Sequence, residues 1–226
     1  MKNIQKILPL YFVAGTQDCR HLGENLSENL LFVLKQALEG GITCFQFRDK
    51  GKFSLEHTPS VQKALAINCR DLCREYGVPF IVDDNVDLAL EIEADGIHVG
   101  QSDMPVAEIQ AKTDKPLIIG WSVNHLDEAK IGENLAEIDY FGIGPIFPTQ
   151  SKENPKPTLG MAFIQTLRNA GITKPLVAIG GVKLAHVKTL REFGADGVAV
   201  ITAISHAENV KAATKALREA SDEYAK

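Results

Sequence analysis

A chain of 226 residues, 45% apolar and 23% charged, has the composition of an ordinary globular protein and enough apolar mass to build a core without disulfide staples. Its net charge of −5 excludes the dense Lys/Arg surface by which proteins grip polyphosphate chains, so nucleic acid is not an expected partner. No apolar run approaches the roughly eighteen residues of a membrane span, and the expected location is the cytoplasm.

Short apolar runs recur at residues 9–14, 42–47, 79–82, 96–99, 117–121, 140–143, 176–179 and 197–200. Among them, helical periodicity predicts helices over 26–38, 61–76, 86–91, 106–112, 126–131, 161–170, 184–193 and 210–224. The strand runs are continuous rather than alternating, as in parallel strands covered on both faces. Similar punctuation precedes them: Gly40-Gly41, Gly77, Ala94-Asp95-Gly96, Gly171 and Ala195-Asp196-Gly197. Glycine ends a helix there because it takes the left-handed conformation at little cost. The apolar segment 7–14 lacks a cleavage-site pattern and reads as the first strand, not as a signal core. Eight strand–helix units without a composition break predict one domain over 1–226, of the α/β class, a (β/α)8 TIM barrel. The alternative, an open doubly wound sheet, would carry a glycine fingerprint after its first strand, and Ala14-Gly15-Thr16-Gln17 lacks that form.

In such a barrel, residues just after strands face the active site. Arg48 and Lys50 follow the second run and suit an anion, by two parallel guanidinium hydrogen bonds and a mobile ammonium; the plainer alternative is a surface salt bridge to Asp49. Asp84 and Asp103 follow the third and fourth runs, beside Asp83 and Gln101. They suit a magnesium ion that sits between carboxylates and substrate phosphates, or else they start the helices that follow. Ser122 follows the fifth run. Thr149, Gln150, Ser151 and Lys152 lie in a long polar stretch over 147–159, either a ligand-closing lid or a surface loop. Gly180-Gly181 and Ile201-Thr202 close the last two runs, where backbone N–H groups hold phosphate in many barrels.

His98 ends the fourth run and is either a proton carrier or a histidine held by hydrogen bonds behind the site; His125 is read as a residue that starts a helix. Cys69 and Cys73 stand one helical turn apart, as a metal half-site or as two buried thiols. No nucleophile-elbow context for covalent catalysis is present.

Gln46-Phe47-Arg48-Asp49-Lys50, Pro79-Phe80-Ile81-Val82-Asp83-Asp84, the stretch 95–103, Gly142-Ile143-Gly144-Pro145-Ile146-Phe147-Pro148-Thr149 and Ile179-Gly180-Gly181 stand in an order and spacing that resembles thiamine phosphate synthases. The resemblance implies a (β/α)8 enzyme that joins hydroxymethylpyrimidine pyrophosphate to a plain or carboxylated hydroxyethylthiazole phosphate and releases pyrophosphate. It further implies that Gln46, Phe47, Arg48, Asp49, Lys50, Asp83, Ser122 and Lys152 bind the pyrimidine pyrophosphate. Asp84 and Asp103 would hold Mg2+, and Thr149, Gln150, Ser151, Gly181, Ile201 and Thr202 would bind the thiazole phosphate. Arg48, Lys50, Ser122 and Lys152 are the residues expected to carry the chemistry.

The chain departs from the family pattern in three places. Asp83 stands where Asn is usual, and an added carboxylate is repelled by a diphosphate unless a cation neutralises it. Thr202 replaces a common Ser, and Val123-Asn124-His125 replaces Ala-His-Thr. Two rivals remain at this stage, a thiazole tautomerase-like isomerase, which would not need the pyrophosphate set, and a non-catalytic sensor of phosphorylated metabolites, which would not need Mg2+.

Overall fold

In a computed structural model that describes residues 3–151 and 156–223, eight strands close on themselves in sequence order. They are β1 (Leu10–Ala14), β2 (Cys44–Phe47), β3 (Phe80–Asp83), β4 (Gly96–Val99), β5 (Ile118–Val123), β6 (Tyr140–Ile143), β7 (Leu176–Ile179) and β8 (Gly197–Val200). Every neighbouring pair is parallel, including β1 with β8, so the sheet is a closed (β/α)8 barrel and not an open one. The surrounding helices are α1 (Ile4–Ile7), α2 (Leu26–Gly40), α3 (Pro59–Glu75), α4 (Val86–Glu91), α5 (Val106–Ala111), α6 (Leu126–Glu133), α7 (Ala162–Asn169), α8 (Leu184–Glu192), α9 (Thr202–Ser205) and α10 (Val210–Asp222). None of them is long and apolar enough to cross a membrane.

All eight predicted strands are present. β5 extends two residues past its predicted end because Ser122 and Val123 keep register with Gly142 and Ile143; Ser122 is therefore a strand residue. The two four-residue helices, α1 and α9, are too short to leave a periodic signal. Local chemistry fixes the longer ones. The Asn25 side chain accepts the Glu28 N–H at the start of α2, and Gly41 ends that helix at φ +96°.

Successive side chains of a strand point to opposite faces, and here the two faces meet two different cores. Tyr11, Val13, Cys44, Ile81, Ile118, Tyr140, Val177 and Ala199 pack inside the barrel, which Ile4 and Leu8 plug from below. Leu10, Phe12, Phe45, Phe47, Phe80, Val82, Ile97 and Phe141 pack outward into the larger core beneath the helices.

The lower face carries a repeated device that sequence reading did not find. Thr43, Asp95, Asp139 and Asp196 each immediately precede or stand just before an even-numbered strand. Each donates its own N–H to a carbonyl at the start of the preceding odd strand: Leu10, Phe80, Ile119 and Leu176. Each side-chain oxygen then accepts the N–H of that same residue, at 2.9, 2.8, 2.8 and 2.8 Å. The bottom of the barrel is thus locked two strands at a time, with these amide and side-chain groups satisfied in pairs.

All four cysteines are free and buried. Burial pushes the Cys19 thiol up to about 12 and raises Cys44, Cys69 and Cys73 as well. Cys69 and Cys73 belong to the apolar core and form no metal half-site.

Two outcomes are expected from this architecture. At pH 8 a thiol reagent should titrate no cysteine in the folded protein and all of them after denaturation. Asp95→Ala, which strands the buried Phe80 N–H, should lower unfolding free energy by about 1–3 kcal/mol in urea titrations while circular dichroism shows the native fold retained.

Candidate active site

A cavity of about 620 Å³ opens at the C-terminal ends of the strands, where barrels place their chemistry. Its floor is a hydrogen-bonded chain across the barrel interior. Gln46 Nε2 donates to the Tyr11 hydroxyl at 2.9 Å, and the Tyr11 and Tyr140 hydroxyls meet at 2.8 Å. Tyr140 then reaches His98 Nδ1 at 3.0 Å, and His98 Nε2 lies 2.9 Å from Ser122 Oγ. Burial first, and the neighbouring ionisable groups second, raise both phenols far above their ordinary value, so both tyrosines are neutral at physiological pH. It holds the Gln46 amide and the Ser122 hydroxyl in fixed positions at two sides of the cavity. His98 takes the role of a histidine fixed by hydrogen bonds. His125 is the residue before α6, its N–H donating to Glu128 at 3.1 Å.

On the β2–β4 side the charges gather. Arg48 Nε lies 3.4 Å and Lys50 Nζ 3.1 Å from Asp83 Oδ2, and Lys50 also pairs with Asp84. The salt-bridge alternative from sequence is thereby corrected: Arg48 pairs with Asp83, not with Asp49. Asp83 is neutralised by both cations, which answers the objection to a carboxylate at that position. Burial alone would lower the Lys50 pKa, but Asp83 and Asp84 outweigh it and raise the value, so this ammonium stays charged.

Neither Asp84 nor Asp103 caps a helix. Asn85 caps α4 by accepting the Leu88 N–H, and α5 follows Pro105 without a side-chain cap. Asp84 instead holds a left-handed backbone, φ +55°, uncommon for a residue with a β-carbon. Asp103 accepts the Gly100 N–H at 2.7 Å with Oδ2. Its pKa is raised, chiefly by burial and further by the carboxylate of Asp84, against the pull of the Gly100 amide. Two adjoining carboxylates with free lone pairs fit a hard divalent cation that takes its remaining ligands from water and substrate oxygens. The pair is not a complete cage: among the described residues no three His, Cys, Asp or Glu side chains are grouped to hold a metal.

Across the cavity, Thr149, Ser151, Gly181, Ile201 and Thr202 line the wall, with Thr202 opening α9. Gly181 has φ +63°, and a β-carbon there would press on the Pro148 carbonyl and Phe147; only glycine lets the two loops approach.

Four of the described residues expected to touch ligand do not line the cavity. Lys50 stands just behind its wall, with its ammonium on Asp83 and Asp84. Phe47 points into the outer core, 2% exposed and stacked on Phe80. Asp49 has the same strand parity and is 4% exposed. Gln150 is exposed on the loop. Lys152 lies outside the described residues. Conversely Tyr11, Asn124 and Lys156 line the cavity without having been singled out, and Tyr140 lies beneath it, bonded to Tyr11 and His98. The two tyrosines share strand parity with neighbours of Gln46 and Ser122, a signal present in the sequence; Asn124 and Lys156 had none.

A closed (β/α)8 barrel with cations, paired carboxylates and a glycine-lined wall around one cavity defines an enzyme of phosphorylated small molecules. Residues 10–204 match the family model of thiamine monophosphate synthase. The chain is 97% identical over its full length, and that of the relative, to a thiamine-phosphate synthase of Haemophilus influenzae. It is 61% identical to that of Actinobacillus pleuropneumoniae over 96% of this chain and all of the relative. A thiamine phosphate pyrophosphorylase structure from Pyrococcus furiosus superposes with a TM-score of 0.81 at 34% identity, covering 98% of this chain and 99% of the other. The chain belongs to the thiamine monophosphate synthase family, and it is a transferase of that type.

The floor also yields a prediction. A β-carbon at position 120 would fall inside the Tyr140 and His98 side chains. Gly120→Ala should therefore cost about 1–3 kcal/mol of stability by overpacking, read in urea titrations, and should lower turnover of the fraction that remains folded.

Proposed function

We propose that the protein joins hydroxymethylpyrimidine pyrophosphate to hydroxyethylthiazole phosphate, plain or carboxylated, forming thiamine phosphate and pyrophosphate, with CO2 released from the carboxylated thiazole. The observation that carries this reading is the convergence of Arg48, Lys50, Asp83 and Asp84 on one side of a cavity whose other side is the Gly181 and Thr202 wall. One side suits a diphosphate, the other a monophosphate, and a volume of about 620 Å³ accommodates two small substrates.

Arg48 and Lys50 face the position where negative charge grows as the carbon–oxygen bond to pyrophosphate breaks. Fixed cations there stabilise the transition state without reorganising. Lys152, by family resemblance, adds a third cation. Gln46 and Ser122, held by the tyrosine–histidine chain, orient the pyrimidine. The pyrimidine-methyl cation left behind is captured by the thiazole nitrogen, whose phosphate is anchored by Thr149, Ser151, Gly181, Ile201 and Thr202. Gln150, exposed on the same loop, is left without a contact in this reading. Aligning two bound reactants lowers the barrier further.

Asp84 and Asp103 would hold Mg2+, which when bound supplies positive charge to the diphosphate. Lys50 pairs with Asp84, and a divalent ion on that carboxylate would leave the ammonium for the diphosphate. The partners are small molecules. Four free, buried thiols fit a reducing compartment, and we place the reaction in the cytoplasm.

The test is a mixture of purified protein, both substrates and Mg2+, assayed for thiamine phosphate and pyrophosphate. Product is expected with Mg2+ and none with EDTA; absence of product with either thiazole form overturns the reading. Arg48→Ala and Lys50→Ala should each reduce turnover on the order of 10²–10³ fold, and Asp103→Asn should abolish the thermal shift given by Mg2+ with pyrophosphate.

A further inference from the structure

We infer that Asp49, although it lies inside the cationic motif, is a positioning residue that never touches the diphosphate and instead fixes the β2–α3 loop so that Arg48 faces the cavity and Lys50 reaches the carboxylates of its wall. The inference rests on the preceding reading for the identity of the ligand and on geometry for the role. Gln46 and Arg48 line the cavity and Lys50 reaches Asp83 and Asp84 on its wall, whereas Phe47 and, past the end of β2, Asp49 turn the other way. Accordingly Asp49 is 4% exposed and does not line the cavity.

Its carboxylate is fully occupied. Oδ1 accepts the Thr16 N–H at 2.8 Å and the Thr16 hydroxyl at 2.5 Å. Oδ2 accepts the Leu55 N–H at 3.0 Å and Gln62 Nε2 at 2.9 Å. A carboxylate offers about four lone-pair sites, so these donors leave none for a ligand. They come from three places: the turn after β1, the tip of the β2–α3 loop and the first turns of α3. Two further bonds tighten the same joint, Gln62 Nε2 to the Asp49 carbonyl at 2.7 Å and Gln17 Nε2 to the Arg48 carbonyl at 2.7 Å. The backbone on both sides of the Arg48–Asp49 peptide is therefore held from outside the barrel, and the two cations are aimed from behind. A carboxylate in direct contact with diphosphate would oppose binding; one that organises the cations behind them aids it.

The experiment compares Asp49→Asn, Thr16→Val, Gln62→Leu and the double variant Asp49→Asn/Thr16→Val with the parent protein. Calorimetric binding of inorganic pyrophosphate with Mg2+, KM for each substrate, and amide hydrogen exchange over residues 48–58 are measured, with thermal melting as the check on folding. An Asn at 49 cannot accept from all four donors, whichever way its amide is turned, so Asp49→Asn should weaken pyrophosphate binding up to about 10²-fold, as misplacement behind a site does. Thr16→Val and Gln62→Leu, which lie outside the cavity, should each weaken it by roughly 3–10-fold, with KM rising for the pyrimidine pyrophosphate but not for the thiazole phosphate. The double variant should be no weaker than Asp49→Asn, because both changes break one joint. All variants should exchange faster over the loop.

Loss of binding in Asp49→Asn alone, with Thr16→Val and Gln62→Leu binding and exchanging like the parent, would show direct contact and overturn the inference. Parent-like behaviour of Asp49→Asn in both measurements would overturn it too. If the parent protein binds no pyrophosphate, the functional reading fails, and loop exchange still decides whether Asp49 holds the joint.

Discussion

The site depends on one constraint: in a closed ring of parallel strands, each side chain must point either into the ring or out beneath the helices. At the lower end both directions are apolar and the constraint only fills space. At the upper end it sorts chemistry. Gln46, His98 and Ser122 turn inward and meet Tyr11 and Tyr140 in one continuous polar chain, while Phe47 and Asp49 turn outward and become structure. A buried polar chain is worth its cost only if every member is paired, and here each link has a partner within 3.0 Å.

Charge balance at the mouth follows from the same sorting. On the β2–β4 side two cations, Arg48 and Lys50, stand among three carboxylates, Asp83, Asp84 and Asp103. That arrangement neutralises the two cations. It also opposes a bare diphosphate. A divalent ion on Asp84 and Asp103 would reverse the local sign and free Lys50 at once, so metal and diphosphate would help one another to bind, a coupling that is reciprocal by thermodynamic necessity. The strained backbone at Asp84 suits this account, because strain collects where a side chain is held for use.

Much of this was legible in the sequence. The strands were, because runs buried on both faces stay apolar from end to end, and so were the cations, since Arg48 and Lys50 follow an apolar run directly. What failed to show has a common cause: a motif is contiguous along the chain, whereas a site takes alternate residues. Reading residues 46–50 as one ligand-binding block swept in Phe47 and Asp49, and reading 9–14 and 140–143 as simply apolar hid the two tyrosines of the cavity floor. Alternation was available as a rule and would have separated them. The partners of Asp49 would not have appeared even so, because Thr16 and Gln62 are brought to it only by the packing of α3 and the turn after β1.

The lower rim speaks to how the barrel is composed. Thr43, Asp95, Asp139 and Asp196 each bind back to the strand before them, and no equivalent side chain is described at the start of the odd strands. Register is thus written into consecutive couples, β1 with β2, β3 with β4, β5 with β6 and β7 with β8, whereas the joints between couples rest on the ordinary ladder. The smallest piece of this chain that spells out its own strand alignment is a quarter of the ring, and the whole is four such quarters brought round to meet.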